Sequence, residues 1–279
     1  MSEPAFSVIV PTYQRNDLLA RCLAALAPEV QDFDGGYEVI VSDDGKDHTA
    51  EAMVNKQFPF ARWTQGPQRG PASNRNHGAA QAKARWLAFT DDDCIPQAGW
   101  LSALAKASSS GRCVYEGRTT TDLPLKGPRF QAPVNENGGY LWSCNLLIER
   151  QFFDQLGGFD EGFPYPHLED AELRMRIEAH GNTWDFVPEA EVLHPQRPAT
   201  PWIKRARAEQ SAVYLCRKHG LPLSAMNLTV GARLRCVKRT ILGAGPWLDK
   251  LGFLCGYALE SGYLLVSLPY WKSQYKKPT

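Results

Sequence analysis

Trp86-Leu87-Ala88-Phe89-Thr90-Asp91-Asp92-Asp93-Cys94-Ile95-Pro96 is the stretch on which the reading of this chain turns. Its first four side chains are apolar and suit a strand buried on both faces. Three consecutive carboxylates follow, and Pro96 closes the extended run. Adjacent anions repel one another, and the nearest cation in sequence is Arg85. A hard divalent cation with oxygen ligands neutralises such a cluster, and phosphate oxygens commonly complete its coordination. A solvated acidic turn after a core strand accounts for the same residues, so the surroundings must decide.

Upstream, Phe6 to Val10 is a short strand-like run ending in Pro11-Thr12-Tyr13. Asn16 or Asp17 can cap a helix bearing Leu18, Leu19, Cys22, Leu23 and Leu26, which Pro28 stops. Tyr37 to Ser42 predicts a second strand, ended by Asp43-Asp44-Gly45. Residues 48–58 predict a helix and 60–64 a third strand. A glycine-flanked loop, Gly66 to Pro71, leads into a helix start at Ala72. This alternation predicts a mostly parallel sheet with right-handed crossovers. Ligands of such sheets bind at the carboxyl ends of the strands. Three of those ends bring Pro11-Thr12-Tyr13, Asp43-Asp44 and Asp91-Asp92-Asp93 to one edge. Neither GxGxxG nor GxxxxGK[ST] is present, which excludes the dinucleotide fingerprint and the P-loop.

Downstream of residue 97 the alternation stops. Trp100, Leu101, Leu104 and Ala105 fit a helix, and Cys113 to Gly117 a strand. Residues 119–139, rich in Pro and Gly, predict a loop, and 141–149 a further strand. Phe152 to Leu156 fits a helical turn, 171–180 a helix ended by Gly181, and 184–187 a short strand before His194-Pro195.

The 279 residues, 43% hydrophobic and 22% charged, suffice for a large core. A domain over 1–200 with an extension over 201–279 fits better than two equal halves. Seven scattered cysteines without a CxxC pair predict reduced thiols in a cytosolic protein. A strand-like run so close to Met1 predicts no signal peptide. The net charge of +1 hides a split: residues 1–200 carry 18 Lys+Arg and 27 Asp+Glu, residues 201–279 carry 13 and 3. An acidic domain with a basic tail follows, and the tail is expected to meet something anionic.

Six short stretches, taken in order, carry a family resemblance. They are Val8-Ile9-Val10-Pro11-Thr12-Tyr13, Ser42-Asp43-Asp44-Gly45, Gly70 to Asn76, Thr90-Asp91-Asp92-Asp93 with Pro96, Gly157-Gly158-Phe159-Asp160, and Glu169-Asp170. Together they resemble the inverting family 2 glycosyltransferases of the GT-A fold. The resemblance implies a Rossmann-like, mostly parallel α/β sheet, a nucleotide-sugar donor, and Mn²⁺ or Mg²⁺. It implies that Pro11, Tyr13 and Asp43 line the base and ribose pocket, Asp43 accepting a hydrogen bond from the base and Asp44 lying beside it, with Arg75 reaching toward the nucleotide. Asp91 would contact the ribose and Asp93 would bind the metal, although the triple Asp leaves Asp92 open as well. His194 would be a further metal or phosphate ligand; a histidine before proline is equally a turn residue. Trp142, Asn145 and Glu169 would face the acceptor, and Trp142 alone is equally a core residue.

Asp170 is the expected catalytic base, since inversion needs a carboxylate opposite the leaving group. Its place at a helix start is also explained by the helix dipole. The implied acceptor is a glycan or lipid-linked glycan in polysaccharide biosynthesis. Two other readings remain open on the sequence. A nucleotidyltransferase pairs a related fold with carboxylate-bound metal but leaves Glu169-Asp170 unexplained. A noncatalytic sugar- or nucleotide-binding module predicts that Asp170→Asn is neutral.

The tail reads differently. Residues 201–240 hold nine Lys+Arg and only Glu209 as an acid, interleaved with Trp202, Ile203, Val213, Tyr214 and Leu215. This predicts helices that make peripheral contact with an anionic membrane. Leu251 to Tyr270 is long enough to span a bilayer, but Glu260 near its centre and three glycines argue against a span. Packing on the catalytic domain or an oligomer contact is the alternative. Nucleic acid is not expected, because the aromatic groups belong to long apolar runs. The implied location is cytoplasmic, at the inner face of the cytoplasmic membrane.

Overall fold

Residues 6–12 alternate between two apolar environments. Phe6, Val8 and Val10 enter one core cluster, and Ile9 enters another. That is the signature of a strand covered on both faces. In the computed structural model, which describes residues 3–47, 50–123, 130–242 and 247–275, this run is β1 (Phe6–Thr12), buried throughout. It pairs in parallel with β2 (Tyr37–Asp43) and β4 (Trp86–Phe89), and β3 (Ala61–Gln65) adds in parallel outside β2.

Parallel neighbours need crossovers. Helices α1 (Asn16–Ala25), α2 (Glu51–Gln57) and α3 (Pro71–Ala80) provide them. α1 turns Leu19, Cys22 and Leu23 inward. No side chain caps it, so the expected cap at Asn16 or Asp17 does not form: Asn16 is already helical. Residues 48 and 49 of the helix expected over 48–58 lie outside the described residues. α3 packs closely because Gly78 lacks a side chain; a Cβ there would lie 2.6 Å from Ile9 Cγ2.

After β4 come β5 (Ile95–Pro96), α4 (Trp100–Ser108), β6 (Val114–Thr120), β8 (Leu146–Glu149), α5 (Arg150–Leu156), α6 (Glu169–Ala179) and β9 (Asp185–Leu193). Among the described residues the sheet has eight strands, in the order β3-β2-β1-β4-β8-β6-β9-β5. Two-residue strands β7 (Phe130–Gln131) and β10 (Arg197–Pro198) lie outside it. β8 runs antiparallel to β4 and β6, while β6 and β9 are parallel. The strand expected over 141–149 is shorter, because Leu141 takes a left-handed φ of 56° and residues 143–145 form a 3-10 turn. β9 is longer than the expected 184–187. Its pairing passes from Val187 to Glu191 across an irregularity opposite Gly117 and Arg118. Pro188, which has no N–H to donate, falls within it.

The chain divides into two compact units. The first is the sheet unit, residues 1–126, 130–161 and 169–197. The second comprises, among the described residues, 162–168, 198–242 and 247–275. It is built on α7 (Trp202–Lys218), α8 (Val230–Leu242) and α9 (Trp247–Gln274) around Ala212, Val213, Cys216, Leu228, Leu264 and Trp271. Charge is buried here too. Arg205 Nε donates to Glu260 at 3.0 Å, Arg233 Nη1 donates to Glu260 at 3.2 Å, and Arg233 Nη2 donates to Glu209.

Candidate active site

The three carboxylates after β4 separate. Asp92 turns inward and is fully buried. Thr12 Oγ1 donates to it at 2.7 Å and Arg15 Nε at 3.1 Å. Burial raises its carboxyl to about 7 against the pull of Arg15. Enclosed in this way, Asp92 is less suited to hold a metal than the outward-turned Asp93. Asp93 turns outward. His194 Nε2 lies 3.4 Å from its Oδ1, and Arg15 Nη1 and Arg197 Nη1 lie 3.1 and 3.5 Å from its Oδ2. Asp91 faces α3, where Arg75 Nη2 donates to it at 2.7 Å.

Arg75, expected to reach toward the nucleotide, turns to carboxylates in this structure. It is buried, stacks over the Phe159 ring at 5.6 Å, and lies 3.6 Å from Glu169 Oε1. One guanidinium thus serves Asp91 and the two carboxylates that open α6. Burial alone would lower its pKa, but Asp91, Asp170 and Glu169 outweigh burial and raise it. For Asp91 burial works upward and Arg75 wins, holding the carboxyl below its usual value. For Glu169 burial wins, with repulsion from Asp170, and lifts the carboxyl to about 7. Asp170 is raised as well, chiefly by burial; Arg75 and hydrogen bonds from the Ser143 hydroxyl and N–H oppose this. Glu169 Oε2 and Asp170 Oδ1 are buried with no hydrogen-bond donor among the described residues.

Asp43 and Asp44 depart from expectation. Asp43 is fully buried and accepts bonds from Gly45 N–H at 2.8 Å, Trp63 Nε1 at 3.2 Å and Ala50 N–H at 3.3 Å. Asp44 accepts from Gln68 N–H and Gly70 N–H at 2.9 and 3.0 Å. Both carboxylates therefore shape the loops at this edge. Pro11 is buried within β1, and Tyr13 is exposed beyond it.

Asn145 is not free to face an acceptor. Its amide donates to Arg118 O and Ala190 O at 2.8 and 2.9 Å, and its oxygen accepts from Trp100 Nε1 at 2.9 Å. Trp142 is half-buried with one ring face stacked on Tyr140, centroids 4.6 Å apart, and it is Tyr140 that is exposed. The loop bearing both aromatics is pinned by Glu116, a buried β6 carboxylate. It accepts from Gly139, Tyr140 and Leu141 N–H, from Asn135 Nδ2 and from Trp184 Nε1.

Asp93, Cys94 and His194 offer three atoms within 4.8 Å of one another. Burial raises the Cys94 thiol well above its ordinary pKa, so it remains an S–H within the core. What remains is a partly exposed carboxylate and an imidazole, a donor set that fits Mn²⁺ or Mg²⁺. Sequence reasoning missed Arg15, Arg197, Ser143 and Glu116. A cation two residues past Tyr13, and another three past His194, were the available signals.

The model of Glycosyl transferase family 2 matches residues 7–155. The chain belongs to this family. Its relatives include "Validoxylamine A glucosyltransferase" of Streptomyces hygroscopicus, 28% identical over 221 residues, 64% of this chain and 52% of that protein. "GalNAc(5)-diNAcBac-PP-undecaprenol beta-1,3-glucosyltransferase" of Campylobacter jejuni is 36% identical over 146 residues, 48% of this chain and 46% of that protein. The chain spans about half the length of these curated relatives. Among solved structures, the mannosyltransferase PcManGT of Pyrobaculum calidifontis, in complex with GDP-Man and Mn²⁺, superposes with a TM-score of 0.59 at 17% identity. That likeness covers 96% of this chain and 87% of that one. The fold is therefore that of the GT-A nucleotide-sugar transferases.

Proposed function

We propose that this family 2 member transfers a sugar, with inversion and in a single displacement, from a nucleotide-sugar donor to a hydroxyl of a glycan or lipid-linked acceptor. The observation that carries the reading is Asp170, whose buried, raised carboxyl keeps one oxygen without a donor beside the Arg75–Asp91 pair. A carboxylate with a spare oxygen and a raised pKa suits proton acceptance near neutral pH. Asp170 takes the proton of the acceptor hydroxyl while that oxygen bonds to the anomeric carbon. The bond from that carbon to the donor's diphosphate breaks on the opposite side, and the nucleoside diphosphate leaves with the electron pair. Asp93 and His194 would hold Mn²⁺ or Mg²⁺, which when bound takes up charge on the leaving diphosphate. Arg15 and Arg197, exposed next to Asp93, add positive charge on the same side. Tyr13 offers its exposed ring to the base, and Tyr140 with Trp142 offers an aromatic face to the acceptor. A lipid-linked acceptor, as named for the Campylobacter relative, would place the reaction at the inner face of the cytoplasmic membrane, in polysaccharide biosynthesis.

The test is product analysis with a panel of nucleotide sugars. Sugar transfer releases a nucleoside diphosphate, whereas pyrophosphate release from a nucleoside triphosphate would mean nucleotidyl transfer. Asp93→Ala is expected to weaken nucleoside diphosphate binding in Mn²⁺ by calorimetry. Affinity that is equal with and without EDTA in the native protein overturns the metal assignment.

A further inference from the structure

The two sides of α9 have opposite character. One side carries Glu260, Leu264 and Trp271, all buried and packed within the helical unit. The other side carries Leu248, Leu251, Leu259, Leu265 and Val266, which are 79, 45, 54, 52 and 82% exposed. The spacing follows the helical repeat, so these residues form one stripe along the helix. Between Leu251 and Trp271 Glu260 is the only charged residue, and it points away from the stripe. From Leu248 to Val266 the stripe is about 27 Å long. An uncovered apolar stripe of that length on a folded unit marks a docking surface.

The charge of the unit identifies the occupant. Residues 201–279 carry 13 Lys+Arg against three acids, and two of the acids, Glu209 and Glu260, are consumed by Arg205 and Arg233. The remaining field is cationic. On α8 the exposed apolar groups Val230, Leu234 and Ile241 sit next to exposed Arg235, Lys238 and Arg239. The surface that complements this pattern is apolar inside and anionic at its boundary, which describes a leaflet rich in acidic phospholipid. A second copy docked face to face through the same helical unit would instead bring cations against cations.

We propose that α8 and α9 dock in the plane of an anionic lipid leaflet, with the outward stripe of α9 in the acyl boundary and the α8 cations at the headgroups. The helix lies on the bilayer and does not cross it. Glu260 ties the middle of α9 to α7 through half-buried Arg205 and to α8 through buried Arg233, and a span would have to break both bonds or carry all four charges inward. Lys250–Gln274 is long and apolar enough to cross a membrane, but the ion-paired side of α9 does not suit hydrocarbon. Docking requires no donor or acceptor, so it stands or falls independently of the sugar-transfer reading.

The experiment is flotation of the full chain with phosphatidylglycerol-containing and pure phosphatidylcholine vesicles, without nucleotide. Binding is expected to the anionic vesicles only, to fall with added salt, and to be fully extracted by alkaline carbonate. Replacing Arg235, Lys238 and Arg239 by Gln should lower partitioning about a hundredfold. Leu259→Glu with Val266→Glu should abolish it while circular dichroism remains unchanged. No flotation at low salt overturns the proposal, as does equal binding by the double Glu variant. Resistance to carbonate would mean a span. A stable dimer by light scattering that the Glu pair dissociates would mean that a second copy covers the stripe.

Discussion

Arginines organise two ionic clusters, and the difference between the clusters separates chemistry from architecture. Arg75 faces three carboxylates, Asp91, Glu169 and Asp170. Arg205 and Arg233 together face two, Glu209 and Glu260. The first cluster is anionic in excess and leaves carboxylate oxygens unbonded; the second is balanced in charge. Titration alone does not distinguish them, because burial raises both Glu169 and Glu209 to about 7. Charge balance and spare oxygens do. A cluster built for stability pairs its charges, whereas one built for proton transfer keeps an acceptor free.

The strongest test of this contrast replaces one acid in each cluster. Asp170→Asn is expected to lower kcat by about 10²–10⁴. It should not lower Tm. A carboxyl whose folded pKa is raised above its unfolded value costs stability once ionised, so its neutral isostere removes a penalty at neutral pH. Glu260→Gln should do the reverse, losing about 3–5 kcal/mol of stability in the helical unit by urea titration with little change in kcat on a soluble acceptor. If both variants mainly lose stability, the distinction fails.

Glu116→Gln sharpens it further. An amide cannot accept all five bonds that the carboxylate holds, and a lost buried bond costs about 1–3 kcal/mol. The expected signature is a raised KM for acceptor with donor hydrolysis by water nearly unchanged. The smallest effect is expected at Ser143. Activity needs ionised Asp170, so kcat/KM should fall as pH drops through its raised pKa. Ser143 donates to that carboxylate and holds its pKa down, so Ser143→Ala should move the acid limb of the pH–rate profile to higher pH. A limb that moves to lower pH would contradict the assignment.

The first half of the sheet was legible because its signals are local. Val8-Ile9-Val10 and Trp86 to Phe89 announce buried strands by composition alone. The acids at 91–93 and 169–170 announce where to look. Their partners were not legible, because register decides them. Arg15 meets Asp92 across 77 positions, and Asn145 reaches Trp100 across 45. Nothing local shows that Asp43 is sealed by Trp63, or that Arg75 turns to carboxylates in place of a ligand. The second half of the sheet mixes directions, and the strap pinned by Glu116 has no periodic signal.

Gly78 has no functional atom, yet it governs a distance that matters. It lets α3 lie against Ile9, and Arg75 stands one turn earlier on the same helix. Any side chain at 78 would push against Ile9 Cγ2 and carry the guanidinium away from Asp91 and Glu169 together. Positions 78 and 9 are thus bound to vary as one. A larger residue at 78 is tolerable only with a smaller one at 9, and a lineage that changes one without the other pays in the alignment of its proton acceptor.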